Sequence, residues 1–317
     1  FSISRKFPKG SVLFTCIGST IGKSGIALEE LTSNQQINAI VVTNNNSNEF
    51  LYYELEHNAD KIKLLASEQA VPILNKSQFE SVKILCPPSL EQTAIANLLS
   101  TWDKAIQTTT QLIAQKYQYK KWLMQQLLTG KKRLKGFSGK WKKVKLSDLF
   151  KLSSGETKPI DVSNIKTDEY LFPVYGGNGI MAFSKAFHLE GDKIIIGRVG
   201  EYCGITRKIS GKYWITDNAL YTTEFSEELS INFLTYKLIY EDLSKLRNKG
   251  GQPLISQKPI YSKTINRPPI EEQTAIAVVL QASDKEIQLM KAKAEQLKEQ
   301  KKGLMQILLT GKKRLKI

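Results

Sequence analysis

The segment Gly18-Ser19-Thr20-Ile21-Gly22-Lys23-Ser24 ends in Gly-Lys-Ser, the combination with which a glycine-rich turn can cradle phosphates. A nucleotide-binding loop of that type needs a glycine five positions before the second one, and Ile17 stands there. The related stretch Gly197–Gly204 has no Gly-Lys-Ser at all. Both therefore read as tight turns between strands, with Ser19, Thr20, Lys23 and Arg198 exposed at the tips. Cys16, Cys86 and Cys203 form no Cys-x-x-Cys pair, and His57 and His188 have no ligand spacing. The expectation is no structural metal and a reducing compartment. No carboxylate-carboxylate-lysine cluster of a nuclease and no Ser/His/Asp set is visible, which favours a binding protein over an enzyme.

Asn266-Arg267-Pro268-Pro269 approaches an Asn-Pro-Pro-aromatic methyl-transfer motif, but an arginine intervenes and the matching stretch reads Leu85-Cys86-Pro87-Pro88. No glycine-rich cofactor loop accompanies it, so no cofactor is expected and Pro-Pro reads as a helix entry. With Lys+Arg 46 against Asp+Glu 30, the net charge is +16, which favours a polyanionic partner. No apolar run reaches the roughly 18 residues of a membrane span and no signal peptide is seen, so a cytoplasmic setting is expected.

The elements that must position these turns are announced by a repeat. Residues 88–135 align with 269–316 without a gap at an offset of 181, with 27 identical positions. Each copy follows Pro-Pro, carries Glu-Gln in its first turn (Glu91-Gln92, Glu272-Gln273) and ends in Leu-Thr-Gly at Gly130 or Gly311. A carboxylate in the first turn suits the helix dipole. Leu99, Ile106, Ile113, Lys120 and Leu127 share a seven-residue track beside Leu123; in the second copy Leu280, Ile287, Ala294, Lys301 and Leu308 run beside Leu297 and Leu304. Two helices of about 40 residues are expected, packed antiparallel as an intrachain coiled coil with a pseudo-twofold repeat. The alternatives are that each helix packs on its own globular domain or on a second chain.

Residues 136–268 read as mixed α/β, with strands at Lys193–Gly197, Lys212–Thr216 and Ala219–Thr223 and an amphipathic helix over 231–246. The stretch before the first long helix matches the second half of this segment. Phe50–Leu55 pairs with Phe233–Leu238, Asn38-Ala39-Ile40 with Asn218-Ala219-Leu220, and Pro72-Ile73 with Pro253-Leu254. Phe7–Phe14 then falls beside Leu189–Ile196, nothing matches 141–188, and the first domain is expected to lack roughly its first 50 residues. The expected division is 1–87, 88–135, 136–268 and 269–317.

Two α/β domains alternating with two near-identical helices, each opened by Pro-Pro-x-x-Glu-Gln-x-x-Ile, resemble the specificity subunits of type I restriction-modification systems. The matching residues are Pro87–Asp103, Pro268–Asp284, the Leu-Leu-Thr-Gly-Lys-Lys-Arg-Leu helix ends, Trp141–Leu149, Pro173–Gly179 and Gly251-Gln252-Pro253. The resemblance implies two target recognition domains that each read half of a split double-stranded DNA sequence. It also implies that the helices set the spacer and dock two modification (methyltransferase) subunits, with restriction subunits completing the complex. Catalysis then belongs to the partners.

Lysine and arginine bind phosphates, while amide and guanidinium groups on protruding loops reach base edges. In the second domain the candidates are Tyr175, Asn178, Lys185, Arg198, Lys208, Arg247, Lys249, Gly251 and Gln252; in the first they are Ser19, Thr20, Lys23, Gln36 and Gln69. The Lys131-Lys132-Arg133 and Lys312-Lys313-Arg314 runs either touch phosphate or cap helix carbonyls. Two other readings stand beside DNA recognition: an assembly scaffold that has lost it, and a stand-alone DNA-modifying enzyme.

Overall fold

The computed structural model describes residues 6–43, 45–67, 70–248 and 250–316. Six α-helices are seen among them: α1 (Asn48–Lys63), α2 (Lys76–Glu80), α3 (Ser89–Leu127), α4 (Ile231–Glu241), α5 (Gln257–Ser262) and α6 (Ile270–Leu308). The repeat copies are α3 and α6, each 39 residues and so roughly 58 Å long. Both close the same way. Gly130 (φ 72°) and Gly311 (φ 69°) adopt the left-handed conformation, and the Lys132 and Lys313 amides return to the carbonyls of Gln126 and Ile307.

Packing divides the chain into two units, Phe1–Ala114 with Leu289–Ile317, and Gln115–Gln288. In the first, Ile95, Ala96 and Leu99 of α3 bury against Met305, Leu308 and Leu309 and against Phe50 and Tyr53 of α1. In the second, Leu123, Leu127 and Leu128 bury against Ile276, Ala277 and Leu280 and against Phe233 and Tyr236 of α4. The two long helices have exchanged roles. Of the remaining seam residues, Ile287 and Leu297 are buried and Ile106, Ile113 and Leu304 half-buried. Within each unit the long-helix segments run antiparallel and also grip the short helix of the α/β part. Both modes of packing read from the sequence therefore hold together.

The lysines that looked misplaced in the apolar track are paired. Lys301 lies 2.8 Å from Asp103 and Lys120 2.5 Å from Asp284. Each aspartate also accepts from a tyrosine hydroxyl, Tyr53 to Asp103 at 2.6 Å and Tyr236 to Asp284 at 2.7 Å. Each ammonium stands over that tyrosine's ring, at 4.9 and 5.4 Å. Burial, then the aspartate bond, pushes both phenols well above their ordinary range.

The Glu-Gln pair has a division of labour. Gln92 accepts from the Ser47 amide at 2.9 Å and donates to the Pro87 carbonyl at 2.8 Å; Gln273 does the same with Ser230 (3.0 Å) and Pro268 (2.9 Å). Ser47 and Ser230 are the N-caps of α1 and α4, so the glutamine staples the short helix to the Pro-Pro turn. The glutamate takes the arginine at the other helix's end, Glu91 from Arg314 and Glu272 from Arg133. Each arginine is thus tied to a carboxylate of the other long helix, and the glutamates do more than answer the dipole.

In the first unit, β1 (Lys6–Phe7), β2 (Val12–Thr15), β3 (Ser24–Ile26), β4 (Leu31–Thr32) and β5 (Ile37–Ile40) form a sheet of order β3-β2-β5 and a small β1-β4 pair. The second unit has eleven strands among the described residues: β6 (Lys142–Lys145), β7 (Phe150–Ser154), β8 (Val162–Ser163), β9 (Phe172–Gly176), β10 (Gly179–Ser184), β11 (Leu189–Glu190), β12 (Lys193–Gly197), β13 (Thr206–Ile209), β14 (Lys212–Ile215), β15 (Ala219–Phe225) and β16 (Thr264–Arg267). They make sheets of order β13-β12-β15-β7 and β11-β14-β9-β10-β8, plus the β16-β6 pair. Leu149, Phe150, Ile194, Ile196, Leu234, Ile255, Ile260 and Ile265 fill the core between the first of these and α4 and α5.

Two readings of the sequence are corrected. Phe14 faces Asn38 as Ile196 faces Leu220, so the Asn-Ala match used to align the domains is two residues out of register. The expected helix over 231–246 ends at Glu241, because Asp242 turns left-handed (φ 51°) before a single 3₁₀ turn, Leu243–Leu246. An aspartate tolerates that conformation, and here its carboxylate accepts from the Ser244 hydroxyl.

One buried position differs in charge between the units. On α4, Lys237 donates to the Leu128 carbonyl and pairs with Glu241, both at 2.9 Å. The corresponding residue of α1 is Glu54, also buried, whose Oε2 accepts from Asn58 while Oε1 has no partner. Desolvation pushes its carboxyl up to about 7. The folded state then keeps a proton that the unfolded chain releases at the ordinary value of 4.5, so stability falls as pH rises from about 4.5 to about 7 and levels off above. Glu54→Gln should raise the melting temperature at pH 8 and leave it unchanged at pH 4.5; an equal shift at both, read by thermal unfolding, refutes this.

Candidate nucleic-acid interface

The same backbone pattern builds one protruding edge on each unit. In the first, the Gly18 amide donates to Pro72 at 2.9 Å, the Leu74 amide to Cys16 at 2.8 Å and the Cys16 amide to Gln36 at 2.7 Å. In the second, Gly200 donates to Pro253 at 2.8 Å, Ile255 to Arg198 at 2.9 Å and Arg198 to Asn218 at 2.9 Å. The hairpin tip after β2, or after β12, is thereby fixed to two loops distant in sequence.

The Gly-Lys-Ser look-alike is that tip. Gly18–Thr20 is one 3₁₀ turn, and Ser19, Thr20, Lys23 and Gln36 are exposed around it. Gln69 lies outside the described residues.

In the second unit the β9–β10 turn joins the edge. A side chain at Gly177 would press on the Asn218 carbonyl at 3.1 Å and on Gly197 Cα at 3.5 Å, so only glycine lets this turn lie so close. Tyr175 precedes it, half-buried edge-on against Tyr213 with centroids 5.9 Å apart. Asn178 is exposed, and Arg207 of β13 grips it through its backbone carbonyl and through Oδ1. Arg198 donates to the Ser154 hydroxyl at 3.1 Å. The loop from Arg247 to Gln252 completes the edge, held by Asn248, whose Oδ1 accepts from the Leu254 amide at 2.7 Å. Arg247, Gly251 and Gln252 are exposed there, while Lys249 lies outside the described residues.

The cationic candidates divide by their partners. Lys185 is held by Glu169 at 2.6 Å and Asp161 at 3.0 Å and stands over the Tyr170 ring, contacts that raise its ammonium's pKa. Lys208 is held by Asp192 at 2.7 Å and Asn232 at 2.9 Å. Both charges are largely compensated within the chain. Among the described residues, Lys23, Arg198 and Arg247 have no carboxylate within ion-pair distance. Arg207 and Asn218 were missed from the sequence; Thr206–Ile209 carries no clean alternation that would have marked Arg207.

An edge of this kind offers hydrogen-bond donors and unpaired positive charge on loops held by a rigid sheet, which suits phosphates and base edges. No group of three or more His, Cys, Asp or Glu side chains converges to hold a metal among the described residues. None of their helices is long and apolar enough to cross a membrane.

Comparison with known proteins gives this arrangement a family. The model of the type I restriction modification DNA specificity domain matches residues 4–115 and again 138–299. The chain is 27% identical over 337 positions to the specificity subunit of the type I restriction enzyme MjaVIII of Methanocaldococcus jannaschii, covering 93% of this chain and 76% of that protein. It is 29% identical over 291 positions to the putative MjaX specificity subunit of the same organism, covering 84% and 68%. Among solved structures it is similar in fold to a type I restriction-modification S subunit from M. genitalium, with TM-score 0.68, 18% identity and coverage of 95% of this chain and 83% of that one. A type I R-M structure described for complex assembly and conformational transition gives TM-score 0.62 at 17% identity, covering 96% and 83%. With two matched domains, two long helices and one loop edge per unit, the chain belongs to the type I restriction-modification DNA specificity family, as a specificity subunit.

Proposed function

We propose that the chain reads a bipartite double-stranded DNA target, one half-site at each loop edge, and delivers two modification subunits and the restriction subunits to it in the cytoplasm. Residues 1–87 and 136–268 act as the recognition domains, and 88–135 and 269–317 as the spacer and docking helices. The chain itself carries out no chemistry and needs no cofactor; methyl transfer and cleavage belong to its partners. The observation that carries this reading is one fastening scheme used twice with different residues at the tips, as Ser19, Thr20 and Lys23 on one edge stand where Glu201, Tyr202 and Ile205 stand on the other. A common scaffold with divergent readers suits a target whose halves differ in sequence.

The net charge of +16 sets the test. Affinity for a duplex carrying the true site should fall steeply between 50 and 200 mM salt, by about a hundredfold or more if four or more phosphates are neutralised. A large preference over random duplex should survive at the higher salt. The site itself is found by mapping methylated bases in DNA modified by the reconstituted complex. Equal affinity for random and mapped duplexes, with modification subunits present, would leave only the scaffold reading.

A further inference from the structure

The β9–β10 turn is shaped beyond what its place on the edge requires. Arg207 donates to the Asn178 backbone carbonyl and, at 3.3 Å, to Asn178 Oδ1. A side chain at Gly179 (φ 117°) would meet the Arg207 guanidinium at 2.7 Å, so this clamp needs glycine there. With Oδ1 held, the amide nitrogen is left, and among the described residues it donates to nothing. Asn178 thus presents a hydrogen-bond donor of fixed orientation to solvent. The two-bond grip of an asparagine on adenine needs the oxygen that Arg207 occupies.

The strand behind the turn is irregular. β10 pairs with β9 as Gly179↔Gly176 and Ile180↔Tyr175 and then as Ala182↔Val174, which makes Met181 the extra residue of a β-bulge. Regular alternation would send Ile180 and Met181 to opposite faces. With the bulge both are open to solvent, 54% and 44% exposed, while Ala182 and Ser184 beyond them are buried. Met181 reaches back along the turn, since a side chain on Gly176 would meet its Sδ at 3.1 Å. Two apolar side chains therefore accompany one amide donor at a single hairpin tip, and the turn rests on Gly197, the residue before Arg198.

Base edges can be sorted by this pattern. A lone donor needs an acceptor, which in the major groove is N7 or O6 of guanine, N7 of adenine or O4 of thymine. Thymine alone sets a methyl group beside its acceptor. On guanine the donor would be satisfied, but Ile180 and Met181 would face a polar edge.

We propose that the β9–β10 hairpin is the thymine reader of the second unit. Asn178 Nδ2 donates to O4, Ile180 and Met181 cover the 5-methyl group, and Arg207 is the positioning residue that aims the amide. The inference rests on the reading of this edge as a DNA-binding surface and names the base that it selects.

The test titrates the chain, assembled with its modification subunits, with duplexes of the mapped site in which each thymine in turn is replaced by deoxyuridine. That exchange removes the methyl group and keeps O4. At one thymine of one half-site the loss should be about fourfold, the scale of one buried methyl group. With Ile180→Ala and Met181→Ala combined, that position should bind thymine and deoxyuridine alike. A folding defect lowers the active concentration but not this ratio, so the ratio reports the contact itself. Arg207→Ala should narrow the preference for thymine over cytosine at the same position by about tenfold, because cytosine offers a donor there, and Arg207→Lys should restore part of it. A mapped site still preferred over random duplex but with no thymine sensitive to methyl loss overturns the inference and leaves DNA reading standing. So does a sensitivity that persists in the double variant. Equal binding of random duplex sinks both.

Discussion

Glu272→Ala should destabilise the second unit by about 3 kcal/mol or more, the scale for removing one partner of a buried ion pair. The carboxylate is fully buried, takes two bonds from Arg133 at 2.5 and 2.6 Å and a third from the Trp141 indole at 3.1 Å. Its loss strands a guanidinium that is 27% exposed and leaves the Trp141 N–H without its acceptor. The counterpart Glu91→Ala should cost clearly less, because Arg314 is 62% exposed and water can take over its bonds. Replacing Glu272 and Arg133 together by leucine and methionine should restore much of the loss, since the penalty lies in the unpaired charge. Denaturant unfolding measures all three. A Glu272→Ala variant within about 0.5 kcal/mol of the parent would show that Arg133 finds another partner.

The second large effect concerns DNA. Arg198→Ala combined with Arg247→Ala should weaken binding of the mapped site roughly ten- to hundredfold, about 1–3 kcal/mol, and relax preference at one half-site only. Lys185→Ala and Lys208→Ala serve as matched controls. Each of these lysines is already spent on carboxylates of its own chain, so their removal should change affinity by less than about threefold. Equilibrium binding at one fixed salt concentration decides the matter. Should the lysine variants lose more than the arginine pair, the edge drawn around Gly177 and Gly200 is not the reading surface.

The long helices could be read from the sequence because their code is local. A 3.5-residue spacing, a Pro-Pro entry and a Leu-Thr-Gly exit each act within a few residues. The purpose of Lys120 and Lys301 could not, since Asp284 and Asp103 lie on the other copy. The candidate edge was legible where turn chemistry is local, as at Gly18–Lys23. It was obscure where ion pairs decide: Asp161 and Glu169 reach Lys185 from a different strand connection, and no spacing rule announces them. The misplaced Asn38 match shows the same limit, because strand register is set by cross-strand hydrogen bonds and not by resemblance of three residues.

The exchange of helix segments has a consequence for how the protein is made. Everything the second unit needs, Gln115–Gln288, leaves the ribosome as one uninterrupted stretch. The first unit cannot close so early, because Phe50, Tyr53 and Leu99 wait for Met305, Leu308 and Leu309, and Glu91 waits for Arg314. The first unit therefore closes after the second, with the faces of α1 and α3 uncovered until Leu289–Ile317 is made. Damage around Met305–Arg314 thus falls on the unit that holds Phe50 and Leu99.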